Sequence, residues 1–236
     1  MQLFPLQFQV TLYPRPRQFD WVALLTRFVQ ASDLGKSENA VLLPLGENAP
    51  PEVPRLLFSA PSHSIQFEAT GLSWTMKWLE LPTPIRDDWF CAEKRSLACR
   101  VLLAAVRDFE VKIGRVASLV SWGLSCDEPP ALWIAKRFFR QELLVEPFNR
   151  PARVEVHSHK VYRFGSFEVN SWGRVKTESL LNPDALLPSP WIVSFQSDLN
   201  TLAGRPEDFN AEQMSEFYAA AWEQHTIVRG LYLGAV

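Results

Sequence analysis

The chain has 236 residues, 47% of them hydrophobic and 21% charged, which is the balance of a globular protein with a sizeable core. Its 24 Lys and Arg against 26 Asp and Glu leave a formal charge of -2, so no global field draws it to a phosphate backbone or an anionic membrane. The N-terminal MQLFPLQFQVTLYPRP does not read as a signal peptide, and no uninterrupted apolar run approaches the roughly 20 residues of a membrane span, so a cytoplasmic protein with no membrane partner is expected.

In chain order, LQFQVTLY comes first. It alternates Leu6, Phe8, Val10 and Leu12 with Gln7, Gln9, Thr11 and Tyr13, the period-two signature of an antiparallel strand with one buried face. Asp20 is a natural N-cap for the helix WVALLTRFVQ, where Val22, Leu25 and Val29 share a face with Leu24 and Phe28 beside it, and Gly35 is a natural stop. The prolines of ENAPPEVP mark a loop, after which RLLFSA, SIQFEA and LSWTMKWLEL read as three strands with a turn at Gly71. Asp87 or Asp88 then caps a helix whose apolar interior, Leu97 to Val106, suits burial on more than one side, and VKIGRVASLVSWGL follows as a strand.

Asp127 and two prolines start another helix, CDEPPALWIAKRFFRQELL. RVEVHSH, KVYRFGSFEVN, GRVKTES and WIVSFQSDL read as strands, and Asn182 and Pro183 open a proline-punctuated loop. In the last helix, Asn210 and Gln213 have capping-box spacing, and Met214, Phe217, Tyr218, Ala221, Trp222 and His225 form one face that is core by default. Phe90, Ala92, Glu93 and Ser96 recur 119 positions later as Phe209, Ala211, Glu212 and Ser215. The expected fold is therefore α+β, with antiparallel sheets packed by helices in two pseudo-repeated halves, 1–125 and 126–236, as two units or one continuous domain.

Chemistry-bearing constellations are sparse. Cys91, Cys99 and Cys126 are odd in number and lack CxxC spacing, which favours buried thiols over a disulfide framework. His157 and His159 lie two apart on a strand and project from one face as metal ligands do, with Cys126, the neighbourhood of Glu155 or His63 as a third; a half-exposed polar strand face is the simpler account. Ser62 beside His63 and Cys126 beside Asp127 are the only nucleophile neighbourhoods, and no Gly-x-Ser-x-Gly elbow, Gly-x-Gly-x-x-Gly or Walker loop occurs, so no cofactor is expected. Lys136, Arg137 and Arg140, interleaved with Phe138 and Phe139, make the densest basic stretch, a nucleic-acid grip by charge and stacking or, more simply, the solvated face of an amphipathic helix.

The order of FPLQFQV, a central helix running into VKIGRVASLVSWG, and VSFQSDLNT before FNAEQMSEFYAAAWEQHTIVRGLYL resembles a sporadically distributed family of uncharacterised prokaryotic proteins of about 250 residues. Ile113, Gly114, Arg115, Asp198, Thr201 and His225 carry the likeness. The resemblance implies association with mobile or defence-related loci and supplies no catalytic residues. Nine Trp and 16 Phe, with no catalytic motif, point to binding, so the expected function is a non-enzymatic accessory protein, antitoxin-, immunity- or defence-related, that engages another protein. The alternatives are a small-molecule sensor whose apolar ligand is walled by Trp74, Trp78 and Trp172, and a nucleic-acid-binding subunit acting through its local basic patch.

Overall fold

The computed structural model describes residues 3–32, 39–43, 49–60, 65–79, 87–140, 144–146, 149, 151–178, 191–204 and 206–234. Its elements run β1 (Leu3–Pro14), α1 (Trp21–Ser32), β2 (Asn39–Leu42), β3 (Leu56–Ala60), β4 (Ile65–Ala69), β5 (Trp74–Leu79), α2 (Asp87–Asp108), β6 (Ile113–Ser125), α3 (Pro130–Phe138), β7 (Glu155–Phe164), β8 (Phe167–Glu178), β9 (Ile192–Thr201) and α4 (Ala211–Leu233). The fold is α+β. Among the described residues, nine strands form one antiparallel sheet in the order β2-β3-β4-β5-β1-β6-β9-β8-β7. No described helix is long and apolar enough to cross a membrane.

β1 and β6 pair at the middle of the sheet, and each begins the same succession. A helix follows (α1 or α3), then a meander whose last strand returns to pair with the first (β5 on β1, β9 on β6), then a long closing helix (α2 or α4). β6, placed before the expected division at 125, thus holds in the second succession the place β1 holds in the first, and the sheet runs unbroken through the seam.

The alternation in β1 turns Phe8, Val10 and Leu12 into the core and leaves Gln7 and Gln9 on the other face. Leu6 departs from the expected buried set. The register slips between Pro5 and Gln7, so Leu6 is an extra residue in the ladder and only half-buried. The slip also carries Phe4 onto Gly123, where a Cβ would come within 2.4 Å of the ring. In α1, Asp20 Oδ1 accepts the Ala23 N–H at 2.9 Å as expected of a cap. The inward stripe is Leu24 and Phe28, which meets Phe67 and Trp74, while Val22 is 62% exposed.

The three strands expected after residue 54 are β3, β4 and β5, and Thr70 Oγ1 closes the turn at Gly71 by accepting the Leu72 and Ser73 N–H groups at 3.0 and 2.9 Å. β2 was not expected. KVYRFGSFEVN is not one strand, because Gly165, at φ +54°, and Ser166 form a two-residue turn between the paired Phe164 and Phe167. GRVKTE simply continues β8 to its end at Glu178.

All four described helices lie on one side of the sheet. α1 packs on Phe67 and Trp74, α2 on β1 and β5, and α4 on β6, β8 and β9. α3 reaches the same layer through Phe138 against Tyr232, which stacks on Phe195 at 5.1 Å. In α4 the capping box is present, and Met214, Phe217, Tyr218, Ala221 and His225 are buried, so the stripe is core. Tyr218 Oη–H reaches across the seam to donate to the Thr11 carbonyl at 2.9 Å. The buried His225 bridges Ser197 Oγ (Nδ1, 2.8 Å) and Ser118 Oγ (Nε2, 3.0 Å), tying α4 to β9 and β6.

Candidate binding surface

On the side away from the helices, the pairing register lines polar side chains into rows across the strands. One row runs Gln66, Lys77, Gln9, Leu119, Asp198, Trp172, His159. Two residues along, the next runs Glu68, Thr75, Thr11, Ala117, Asn200, Asn170, Val161. On the other side of the first lies Gln7, Ser121, Gln196, Arg174, His157. Apart from β6, which adds Ala117 and Leu119 beside Ser121, the strands contribute the polar half of their period-two pattern, and antiparallel pairing brings those halves onto one face.

These side chains bond to one another. Gln7 Nε2 donates to Gln9 Oε1 and Gln9 Nε2 to Thr11 Oγ1, both at 3.1 Å, and the Thr11 hydroxyl meets that of Thr75 at 3.1 Å. Across the second half, Arg174 Nη1 donates to Gln196 Oε1 at 2.6 Å, and Gln196 Nε2 donates to Ser121 Oγ at 3.4 Å. His159 Nε2–H donates to Asn170 Oδ1 at 3.0 Å and stacks on Trp172 with centroids 4.3 Å apart. The Arg174 guanidinium approaches the Trp172 ring at 5.5 Å and Arg115 approaches Tyr13 at 4.1 Å, so both aromatics carry a cation.

Asp198 sits in the middle of the first row. Burial raises its carboxyl pKa, opposed by the amide of Asn200, which donates to Oδ1 at 3.2 Å, and by the charges of Arg174 and Arg115. The face as a whole is balanced, with Lys77, Arg115, Arg174 and Lys176 set against Glu68, Asp198, Glu155 and Glu178. It lacks the one-signed stripe that a polyanion requires.

Trp74 and Trp78 do not wall a ligand site with Trp172. Both are fully buried on the helix side of β5, Trp74 against Phe19 and Phe28 and Trp78 against Phe8, whereas Trp172 stands on the opposite side of the sheet. Their place in the strand alternation, facing the helix layer, makes them core.

The basic stretch is not a free cationic strip either. Lys136 pairs with Glu128 at 2.6 Å, and Arg137 Nε donates to the Tyr232 carbonyl at 2.6 Å while lying over Trp133. Arg140 is exposed just beyond α3. Phe138 turns inward, and Phe139 stays 43% exposed.

His157 and His159 do share a face, but His157 faces Glu155 at 3.5 Å and His159 is held by Asn170 and Trp172. Among the described residues, no three His, Cys, Asp or Glu side chains gather as a metal site. Ser62 and His63 lie outside the described residues. Cys126 is buried, its Sγ–H directed to the Leu124 carbonyl, and burial pushes its thiol to about 11, the reverse of what a nucleophile needs. Cys99 is pushed to about 11 by the same cause.

The sequence singles out Trp172 and Asp198 separately and Gln9 only as part of the polar half of β1, and it does not single out Asn200 or Gln196 at all. Their signal was the polar half of the alternation in β1, β8 and β9. No model of a known protein family matches this chain, and no curated protein matches it.

Proposed function

We propose that the protein is a non-enzymatic, cytoplasmic protein-binding component whose partner lies on the helix-free face of the sheet. The observation behind this reading is the set of rows of mostly polar side chains that run from β4 to β7, broken on β6 by Leu119 and Ala117, on the side where no described helix packs. Amide and hydroxyl side chains held by one another form a pre-ordered surface of donors and acceptors, which costs little entropy to dock against. Trp172, with Arg174 beside it, is the residue pair of the type that anchors interfaces. Balanced charge favours a protein over a polyanion, and mutual engagement of the ionisable side chains favours binding over proton transfer. The same reading accommodates an antitoxin-, immunity- or defence-related role, in which such a component acts by occupying its partner.

Site-specific photo-crosslinking in native cells tests this. A crosslinking residue at Gln9 or Lys77 should capture one discrete protein, the same at both positions, and Trp172→Ala should weaken that adduct about tenfold or more. Adducts formed only from Val22, on the outer side of α1, would overturn the assignment of the face.

A further inference from the structure

Among the described residues, the first half of the chain supplies a strand that the second lacks, and a longer first helix. Beyond β3 the sheet continues into β2, whereas β7, which holds the corresponding place, is the last strand on its side. Beside α2, α1 presses Phe28 onto Phe67 of β4, whereas the shorter α3 reaches α4 at Tyr232. A groove of about 430 Å³ therefore lies open over β7 and β8, lined by Tyr162 and Ser171 and by Ile227, Val228 and Leu231 of α4. Ile227 is 49% exposed and Leu231 68%, although they sit one turn apart on a helix whose other face is core. Among the described residues, nothing pairs with the outer edge of β7.

We propose that a second copy of this chain fills this edge. β7 pairs antiparallel with β7 of the second copy about a two-fold axis through His159, joining the two sheets and keeping both helix layers on one side. This register pairs opposite charges at the strand ends, at the cost of setting His157 against Val161 and the two His159 rings against each other. Glu155 of each copy meets Arg163 of the other on the polar face, so the axis generates the opposite-charge pair twice. On the groove side Val156 meets Tyr162, and Lys160 meets the Ser158 hydroxyl.

Neighbouring registers that preserve the faces are worse. Slipping one way sets Glu155 against Val161 and Lys160 against Val156, and slipping the other sets Lys160 directly against itself. An inward-pointing lysine is a device that turns away apolar strands, and self-pairing satisfies it with a hydroxyl. The second copy brings its β7 as the added strand, and its α4, with its own Ile227 and Leu231, as a helix beyond the groove. Glu155 already has Arg153 and His157 as neighbours, so Arg163 of the second copy joins a charge network.

Sedimentation equilibrium of the full chain, with thermal melts as a folding check, tests this. The wild type should sediment at twice the chain mass, Glu155→Arg and Arg163→Glu should each weaken association about tenfold, and the double reversal should restore it. In parallel, His159→Cys should form an interchain disulfide under mild oxidation, because the axis sets the two residues directly opposite each other. A wild type that stays at single-chain mass at the highest attainable concentration overturns the proposal. So does a dimer indifferent to either reversal, a double reversal that fails to recover, or an absent disulfide in a folded His159→Cys variant.

Discussion

Acidification should unfold this protein through His225. The ring is wholly buried, its two nitrogens bond to the uncharged hydroxyls of Ser197 and Ser118, and burial alone lowers its pKa from 6.5 to about 3. Between those values the unfolded chain binds a proton at this position that the folded chain refuses, so stability is full above pH 6.5 and is lost as pH falls toward 3. Each pH unit in that window costs about 1.4 kcal/mol, hence about 2 kcal/mol at pH 5 and about 4 kcal/mol at pH 3. The larger figure approaches the whole stability of a marginal domain.

Urea unfolding of the wild type and His225→Gln at pH 7, 6, 5 and 4 isolates the effect. Gln can still bond to the hydroxyls but does not titrate. The variant should be less stable at pH 7, by about 1–3 kcal/mol for imperfect repacking, and its stability should fall less steeply with acid, by up to one proton, so that the two curves converge near pH 5. The carboxyls of Asp108 and Glu155, lowered chiefly by hydrogen bonds from Arg107 and Arg153, add acid lability to both proteins and cancel in the comparison. Parallel curves for the two proteins would refute the assignment of a buried neutral imidazole.

Tyr218→Phe removes the bond to the Thr11 carbonyl and leaves that oxygen to find another donor, so a loss of about 1–2 kcal/mol is expected in denaturant melts. Asn210→Ala takes away the cap accepting from the Gln213 N–H at 2.8 Å and should cost about 1 kcal/mol, with faster amide exchange confined to the first turn of α4. Gly123→Ala forces a methyl against the buried Phe4 ring and should cost about 1–3 kcal/mol, whereas Gly230→Ala, with nothing within 4 Å, should be neutral or stabilising in the same melts. Trp74→Ala should cost about 3–5 kcal/mol, while Trp172→Ala should leave the melting temperature within a few degrees and lose the partner crosslink.

What was legible in the sequence was local. The alternation of β1, the Asp20 cap and the Asn210–Gln213 box each depend on residues within a few positions, and all are present in the fold. β2 was missed because four residues, NAVL, carry no period, and their strand state comes from pairing with β3. The hairpin at Gly165 was hidden because Phe164 and Phe167 are paired neighbours flanking a turn short enough to look like continued alternation. The facing of Trp172 was equally obscure. Its neighbours Ser171 and Gly173 are the inward ones, kept small because Tyr232 lies over them, and a Cβ on Gly173 would come within 2.8 Å of that ring.

The rows were the least accessible feature, because a row is a statement about register between strands as distant as β1 and β9. They are nonetheless cheap to form. Once the inner halves of the strands are fixed by the helix layer, the outer halves have no freedom left, since a one-residue slip would carry Phe8, Val10 and Leu12 outward along with them. The core thus specifies the surface without touching it. The two faces then answer to different selection. Changes at Trp74, Tyr218 or His225 should act on stability, whereas under the proposed function changes at Gln9, Arg174 or Trp172 should act on recognition, against a sheet that holds its register either way.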